Sequence, residues 1–339
     1  MVTIKDIAKK AGVSPSTVSR VVKDHNGISL VTKQRIRKIM AEMNYTPNVA
    51  ARNLVTNKSY TIGLVIKSAV HEHELNPFIT EVTLGVSESC RERGFSTLST
   101  SKQDDEDLVV EVQDLINSRQ VDGFILLYSK ENDAVTNYLR SIDFPFVVIG
   151  KDIMNLNDSI YIDNDNELAS YSLTNHLLKK GFKDIRIIND SDVFAVAQDR
   201  ISGFIRALEE NNIDLTNKVI DISEGISTLE DALKDLIENE RPDLLLTMDG
   251  LFNAKVLSKL YQLDIKVPKD MATATFNDSP LTAFASPPQT TVDIYPRDLG
   301  MEAGKKILDL INDPECLKIN ITIPTKVIER ESTRRTTDD

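Results

Sequence analysis

Residues 12–22 read GVSPSTVSRVV and place four hydroxyl side chains, one proline and one arginine among valines. Ser14 followed by Pro15 predicts a helix start, because serine caps free amides and proline has no amide to leave unpaired. Val13 and Val18 have the spacing of a hydrophobic staple. The helical period places Val18, Val21 and Val22 on an apolar stripe, and the opposite face holds Pro15, Ser16, Ser19, Arg20 and Lys23.

Two further helices are predicted on either side of this stretch. Upstream, TIKD at 3–6 has the form of a capping box, and Gly12 ends the helix that it opens. Two short helices joined by Gly-Val-Ser are typical of a helix-turn-helix, and a third helix can close a small core with them. The predicted buried side of that third helix is Val31, Ile36, Ile39, Met40 and Met43.

The polar face of the second helix is suited to reading DNA. Small hydroxyls allow close approach and bond to phosphates or bases, and an arginine can pair bidentately with a guanine edge. On composition alone, a solvated serine-rich helix face is an equally good interpretation. The candidate DNA contacts in this stretch are Ser14, Pro15, Ser16, Thr17, Ser19 and Arg20.

The charge distribution favours DNA binding. The whole chain has a net charge of −12. Residues 1–59 carry eleven Lys and Arg against three Asp and Glu, which is +8, and the remaining 280 residues carry 29 against 49, which is −20. A basic head on an acidic body is the asymmetry of a nucleic-acid-binding module attached to another domain. The acidic body would discourage indiscriminate binding to DNA.

Three stretches resemble the LacI/GalR family of bacterial transcription regulators: TIKDIAKKAGVSPSTVSRVV (3–22), SLVTKQRIRKIMAEMNYTPNVAARNL (29–54) and TIGLVI (61–66). Weaker landmarks continue to about residue 330, at NPF (76–78), DGFILL (122–127), DR..GF (199–204) and SPPQTTVDI (286–294). The resemblance implies a homodimer on pseudo-palindromic operator DNA. The resemblance also implies DNA contacts from Thr3 and Tyr45. It further implies a hinge helix at 48–54 that would fold on DNA and contact it through Asn48, Ala51 and Leu54.

From residue 61, short apolar strands alternate with helical stretches, which is typical of doubly wound parallel α/β lobes. The family fold implies two lobes like those of periplasmic sugar-binding proteins, joined by three crossovers around a cleft, with residues 290–294 returning the chain to the first lobe. The predicted organisation is a helix-turn-helix headpiece at 1–47, a hinge helix and linker at 48–59, a first lobe at 60–162 plus about 292–322, a second lobe at 163–291 plus about 323–330, and a polar tail at 331–339.

Ligands of open α/β sheets bind beyond the carboxyl ends of the strands, so the loops there hold the candidate effector residues. Carboxylates, amides and arginine suit a polyhydroxylated ligand, and an aromatic face suits a sugar ring. The structural alternatives are a helix cap for Asp249 or Asn277, a surface ion pair for Arg200 and a core position for Phe78, which is placed in the loop after the first strand. The effector candidates are Phe78, Lys151, Asp163, Arg200, Asp249 and Asn277.

This sequence departs from the usual family pattern at Met248, Asn277 and the Gly150-Lys151 pair. The Gly-Lys pair and the long SAVHEHELNPF loop (68–78) are similar to those of Gram-positive maltose-operon repressors. This similarity implies maltose or a maltodextrin as the effector that releases the operator. A global catabolite regulator with a phosphorylated carrier protein as corepressor stays open as an alternative.

Other function classes have less support. No catalytic motif or Gly-rich phosphate loop is found, so neither an enzyme nor a cofactor is predicted. His71 and His73 alternate, but a solvated loop is the better interpretation than a metal site. The chain has no leader and no apolar run long enough to span a bilayer, which predicts a cytoplasmic protein without a membrane partner.

Overall fold

The computed structural model divides into two compact units, residues 1–59 and residues 60–339. It describes residues 2–22, 25–45, 53, 58–67, 76–102, 104–154, 158–190, 194–222 and 228–334. Lys23, Asn48, Ala51, Leu54 and the His71–His73 pair therefore lie outside the described residues, as does most of the predicted hinge helix.

The first unit contains the three predicted helices: α1 (Ile4–Ala11), α2 (Pro15–Val22) and α3 (Leu30–Glu42). Thr3 and Asp6 form the predicted capping box on α1, and Gly12 ends that helix in the left-handed conformation at φ +62°. The core of the unit consists of one side of each helix: Ile7, Ala8, Ala11, Val18, Val21 and Ile36. These contacts confirm the helix-turn-helix headpiece.

One predicted core residue of α3 is wrong. Val31 is 76% exposed. Ser29 caps the helix, and Ile28 just before the cap packs against the core at that end instead. The helical period alone could not distinguish these two apolar positions. Lys33, one of the basic residues of the headpiece, is largely buried.

The second unit contains two six-stranded sheets. The first lobe has the strand order β11-β5-β4-β3-β1-β2, and all of its pairs are parallel. Its strands are β1 (Thr61–Val65), β2 (Ser96–Ser99), β3 (Gly123–Leu126), β4 (Phe146–Ile149), β5 (Ile160–Asn164) and β11 (Asn320–Ile323). The helices on this sheet are α4 (Pro77–Glu92), α5 (Asp105–Asn117), α6 (Ala134–Ser141) and α12 (Pro296–Asn312).

The second lobe repeats this plan in the order β12-β10-β9-β8-β6-β7, and among its described strands only the β10–β12 pair is antiparallel. Its strands are β6 (Ile185–Asn189), β7 (Val219–Asp221), β8 (Leu244–Thr247), β9 (Ala272–Phe276), β10 (Thr290–Asp293) and β12 (Lys326–Ile328). Its helices are α7 (Asn166–Lys179), α8 (Ala195–Glu210), α9 (Leu229–Asn239), α10 (Gly250–Gln262) and α11 (Pro280–Ala283).

The chain crosses between the lobes after β5, after β10 and between β11 and β12. Residues 290–293, which were predicted to return the chain to the first lobe, belong to the second sheet, and the return follows them. The predicted polar tail also begins inside the fold. Ser332 and Thr333, in a short 3-10 helix, are fully buried.

Glycines allow close helix crossings in both lobes. A Cβ at Gly300 of α12 would lie 2.1 Å from the Val82 carbonyl oxygen of α4. In the second lobe, a Cβ at Gly203 of α8 would lie 2.0 Å from the Glu167 carbonyl oxygen of α7. The Gly-Phe of the DR..GF stretch therefore sets the packing of α8 on α7, with Phe204 in the core. Among the described residues, no helix is both long and apolar enough to cross a membrane.

Candidate functional sites

The exposed face of α2 is a cluster of hydroxyls with one cation. The Ser14 hydroxyl accepts from the Thr17 amide at 3.2 Å, so it is the helix cap that the sequence predicts. The same oxygen lies 2.7 Å from the Ser16 hydroxyl and 2.9 Å from that of Thr17. Arg20 is exposed on the same helix. This face offers small donors and acceptors beside one bidentate donor, which is the chemistry of a groove-reading helix.

The structure gives two other predicted DNA contacts a role inside the headpiece. The Thr3 hydroxyl donates to Asp6 at 2.7 Å and the Asp6 amide donates to it, so it is occupied in capping α1. Tyr45 is half-buried against the headpiece core. Asn48, Ala51 and Leu54 lie outside the described residues, so their roles stay predictions.

A cleft of about 240 Å³ opens between the two lobes at the carboxyl ends of their strands. The predicted effector residues come from six different strands or from the segments that follow them, yet they all line this cavity: Phe78, Lys151, Asp163, Arg200, Asp249 and Asn277. Topology brings them together, because parallel strands end at one edge of a sheet. Phe78 lies in the first turn of α4 rather than in a loop.

Arg200 is the most constrained group in the cleft. It is 5% exposed, and its guanidinium lies 4.5 Å from the centre of the Phe276 ring. It donates to the Met248 carbonyl at 2.5 Å, to the Asn277 side chain at 3.0 Å and to the Asn166 side chain at 3.2 Å. Burial lowers its pKa to about 10, which leaves it protonated at neutral pH.

The Nε of Arg200 is buried and has no acceptor in the part of the chain that the structure describes. Buried donors are almost always satisfied in folded proteins. A water or a ligand oxygen in the cleft would supply the missing acceptor.

Two carboxyl groups in the cleft have raised pKa values. Burial raises the pKa of Asp163 to about 6, although its oxygen accepts from the Asn164 amide at 2.8 Å. Burial, together with the nearby charge of Asp249, raises the pKa of Asp190 to about 6. Asp249 itself caps α10 by accepting from the Phe252 amide at 2.8 Å. The helix-cap alternative for Asp249 therefore describes part of its role.

Aromatic side chains connect the two lobes at the cleft. Phe78 of the first lobe also packs against the core of the second lobe. In return, Phe194 of the second lobe packs against the first lobe, with its ring 6.1 Å from that of Tyr128. The Tyr128 hydroxyl donates to Asp133 at 3.0 Å, and the Lys67 ammonium lies 5.9 Å from the centre of its ring.

Several cleft residues were not predicted from the sequence: Lys67, Tyr128, Asn166, Asp190, Phe194 and Lys255. Tyr128 directly follows the DGFILL stretch (122–127), and Asp190 directly follows β6, so the position after a strand was a usable signal for both. Phe194 and Lys255 have no comparable pattern. Asp278, the neighbour of Asn277, is held by Arg330 through hydrogen bonds of 2.7 and 3.0 Å.

Lys151 is already partnered. It follows β4 of the first lobe, and its ammonium lies 2.8 Å from Asp199 on α8 of the second lobe. This ion pair raises the pKa of Lys151. The contact therefore runs from one lobe to the other at the rim of the cleft.

A helix-turn-helix headpiece attached to a two-lobed core with a ligand-sized cleft defines a DNA-binding transcription regulator. Residues 3–48 match the model of bacterial regulatory proteins of the lacI family, and residues 174–333 match the periplasmic binding protein-like domain. The chain is 43% identical over 334 residues to the HTH-type transcriptional regulator MalR of Staphylococcus xylosus, covering 98% of each protein. It belongs to the lacI family of bacterial regulatory proteins.

Solved structures agree with this assignment. A probable maltose operon transcriptional repressor malR from Staphylococcus aureus matches with a TM-score of 0.76 and 39% identity, covering 83% of this chain and all of the other. The lac repressor dimer bound to operator matches over 98% of this chain with a TM-score of 0.80. At 22% identity, that second match supports the fold alone.

Proposed function

We propose that this protein represses genes for maltose or maltodextrin use and leaves its operator when such a sugar occupies the cleft. Its similarity to MalR of Staphylococcus xylosus and to the probable maltose operon repressor of Staphylococcus aureus supports the operon type. The exposed hydroxyl and arginine face of α2 supports specific DNA reading.

The single observation that carries the effector proposal is the environment of Arg200. A buried guanidinium whose Nε has no acceptor among the described residues, flanked by two amide side chains and a carboxyl with a raised pKa, suits the alternating donors and acceptors of sugar hydroxyls. Phe78 and Tyr128 add apolar faces for a sugar ring.

The charges in the cleft favour an uncharged sugar over a sugar phosphate. The Lys67 ammonium is paired with Asp105, and that of Lys151 with Asp199. Arg200 lies within the field of Asp163 and Asp249. A phosphate would compete with these carboxylates for every one of these cations, whereas a neutral hydroxyl needs only single hydrogen bonds.

We also propose that the protein acts as a homodimer in the cytoplasm, without enzymatic activity. The symmetry of the proposed operator supports the dimer, because two copies of the chain related by a two-fold axis match the two halves of a pseudo-palindromic site. The matched relatives are named as transcriptional regulators, which supports the absence of catalysis.

The test is a titration with three candidate effectors. An operator selected by this protein from a random DNA pool is labelled, and its affinity is measured by fluorescence anisotropy with maltose, with maltotriose and with a serine-phosphorylated carrier protein. Weakened binding with either sugar is the expected result. Tighter binding with the phosphoprotein and no effect of the sugars would instead establish the catabolite-regulator alternative.

A further inference from the structure

We propose that Lys151 and Asp199 form a positioning pair that ties the two lobes together across the mouth of the cleft, and that Lys151 does not bind the effector directly. The Lys151 Nζ lies 2.8 Å from Asp199 Oδ1. Lys151 lies two residues after the end of β4 in the first lobe and Asp199 lies in the second turn of α8 in the second lobe, so the bond joins the lobes.

The surroundings of the pair restrain both side chains. The Ser129 hydroxyl donates to the Lys151 carbonyl at 2.6 Å and fixes the backbone there. The Lys151 side chain is 54% exposed and that of Asp199 is 18% exposed, so the pair lies at the rim of the cleft rather than at its floor. The Tyr128–Phe194 ring contact joins the segment after the adjacent strand, β3, to the start of the same helix, α8. We call the ion pair and this ring contact the cleft latch.

The latch acts on the effector through the balance between open and closed lobes. A ligand that contacts both lobes binds only the closed arrangement well, so its apparent dissociation constant rises as the closed fraction falls. An ion pair that is partly exposed to solvent changes such an equilibrium by a factor of up to about five. Breaking it should therefore shift the lobes measurably without abolishing closure.

The first experiment needs no effector. Spin labels are placed at two exposed positions, Ser118→Cys in the first lobe and Glu238→Cys in the second, with Cys316 changed to Ser. Double electron–electron resonance then measures the distance between the lobes in the full chain. Lys151→Met and Asp199→Asn should each enlarge the long-distance population about two- to fivefold. Distances that match those of the parent protein in both variants would overturn the proposal.

The second experiment uses maltotriose and rests on the proposed function. Isothermal calorimetry should give the same two- to fivefold loss of affinity for Lys151→Met, for Asp199→Asn and for the double variant, because either change removes the same bond. Additive losses, or a loss confined to Lys151→Met, would mean that Lys151 contacts the sugar itself.

A matched control comes from the same helix. Arg206→Met breaks an exposed ion pair of α8 with Glu210, at 3.1 Å, that lies entirely within the second lobe. Neither the spin-label distances nor the affinity should change in this variant. If maltotriose does not bind the parent protein, the effector proposal fails, and the distance measurement still decides the latch.

Discussion

The headpiece and the cleft differ in how far apart in the sequence their candidate binding residues lie. The face proposed to read DNA lies on one eight-residue helix, where the hydroxyls of Ser14, Ser16 and Thr17 bond to each other and to the helix start. The cleft gathers groups from residue 67 to residue 299 and holds them in a network that spans both lobes. A local face can be changed one residue at a time, whereas the cleft depends on how whole helices pack.

This difference predicts that a packing change away from the cleft destabilises the helix pair that supports it. Gly203→Val would press a side chain into the Glu167 carbonyl, which must move because it is backbone. We expect a loss of about 3 kcal/mol, at the upper end of overpacking costs. Urea denaturation followed by far-UV circular dichroism measures it. Ser202→Val, exposed on the same helix, should lose under about 0.5 kcal/mol.

In the headpiece, by contrast, we expect a single side chain to supply most of the preference for operator DNA. Arg20→Ala should lose about 1 to 3 kcal/mol of operator preference, the value of one bidentate arginine–guanine contact. Gel-shift competition between operator and scrambled DNA measures this preference. Lys5→Ala, exposed on α1, should weaken both DNAs alike through lost phosphate attraction. An undiminished preference in Arg20→Ala would show that another surface reads the bases.

A smaller change in stability is expected from the carboxyl group of Asp163, which is buried in the cleft. The pKa of Asp163 is raised to about 6 in the folded chain, above its value near 4 when unfolded. Between these values the folded chain binds more protons, so this group adds stability as the pH falls from 7.5 to 5. Asp163→Asn should be about 1 kcal/mol more stable than the parent at pH 7.5.

The stability advantage of Asp163→Asn should disappear at pH 5, and denaturation at both pH values measures it. Glu230→Gln should instead be less stable than the parent protein at neutral pH. Lys234 and Lys259 lower the pKa of Glu230 to about 2, so its carboxylate stabilises the fold at neutral pH and the substitution is harmful there. An Asp163→Asn advantage that is independent of pH would contradict the buried-charge explanation.

The contrast between the local headpiece face and the long-range cleft also explains which features could be predicted from the sequence. Helix caps and periodicity are local, so the three headpiece helices, the capping box of the first and the start of the second were predicted from the sequence, and the choice of Val31 as a core residue was wrong. The edge strands β11 (320–323) and β12 (326–328) have no such local signal, because they are short and their partners, β5 and β10, lie far away in the sequence.

The resemblance to the family predicted which residues line the cleft, but it did not predict the residues with which they form hydrogen bonds and ion pairs. No pattern along the chain pairs Lys151 with Asp199, since that contact exists only when two lobes meet. Asp278, which the family pattern would group with Asn277, is instead held by Arg330, 52 residues further along the chain. Long-range pairs of this kind follow from packing and not from local spacing.

The most direct test of the central claim is operator affinity with and without maltose and maltotriose, in the parent protein and in Arg200→Ala. We expect at least one sugar to weaken operator binding by the parent, and we expect this ratio to fall to one in Arg200→Ala because the buried guanidinium no longer contacts the sugar. Linkage requires operator DNA to weaken sugar binding by the same factor. A parent protein that ignores both sugars, or an Arg200→Ala variant that responds like the parent, would contradict the proposed control by the cleft.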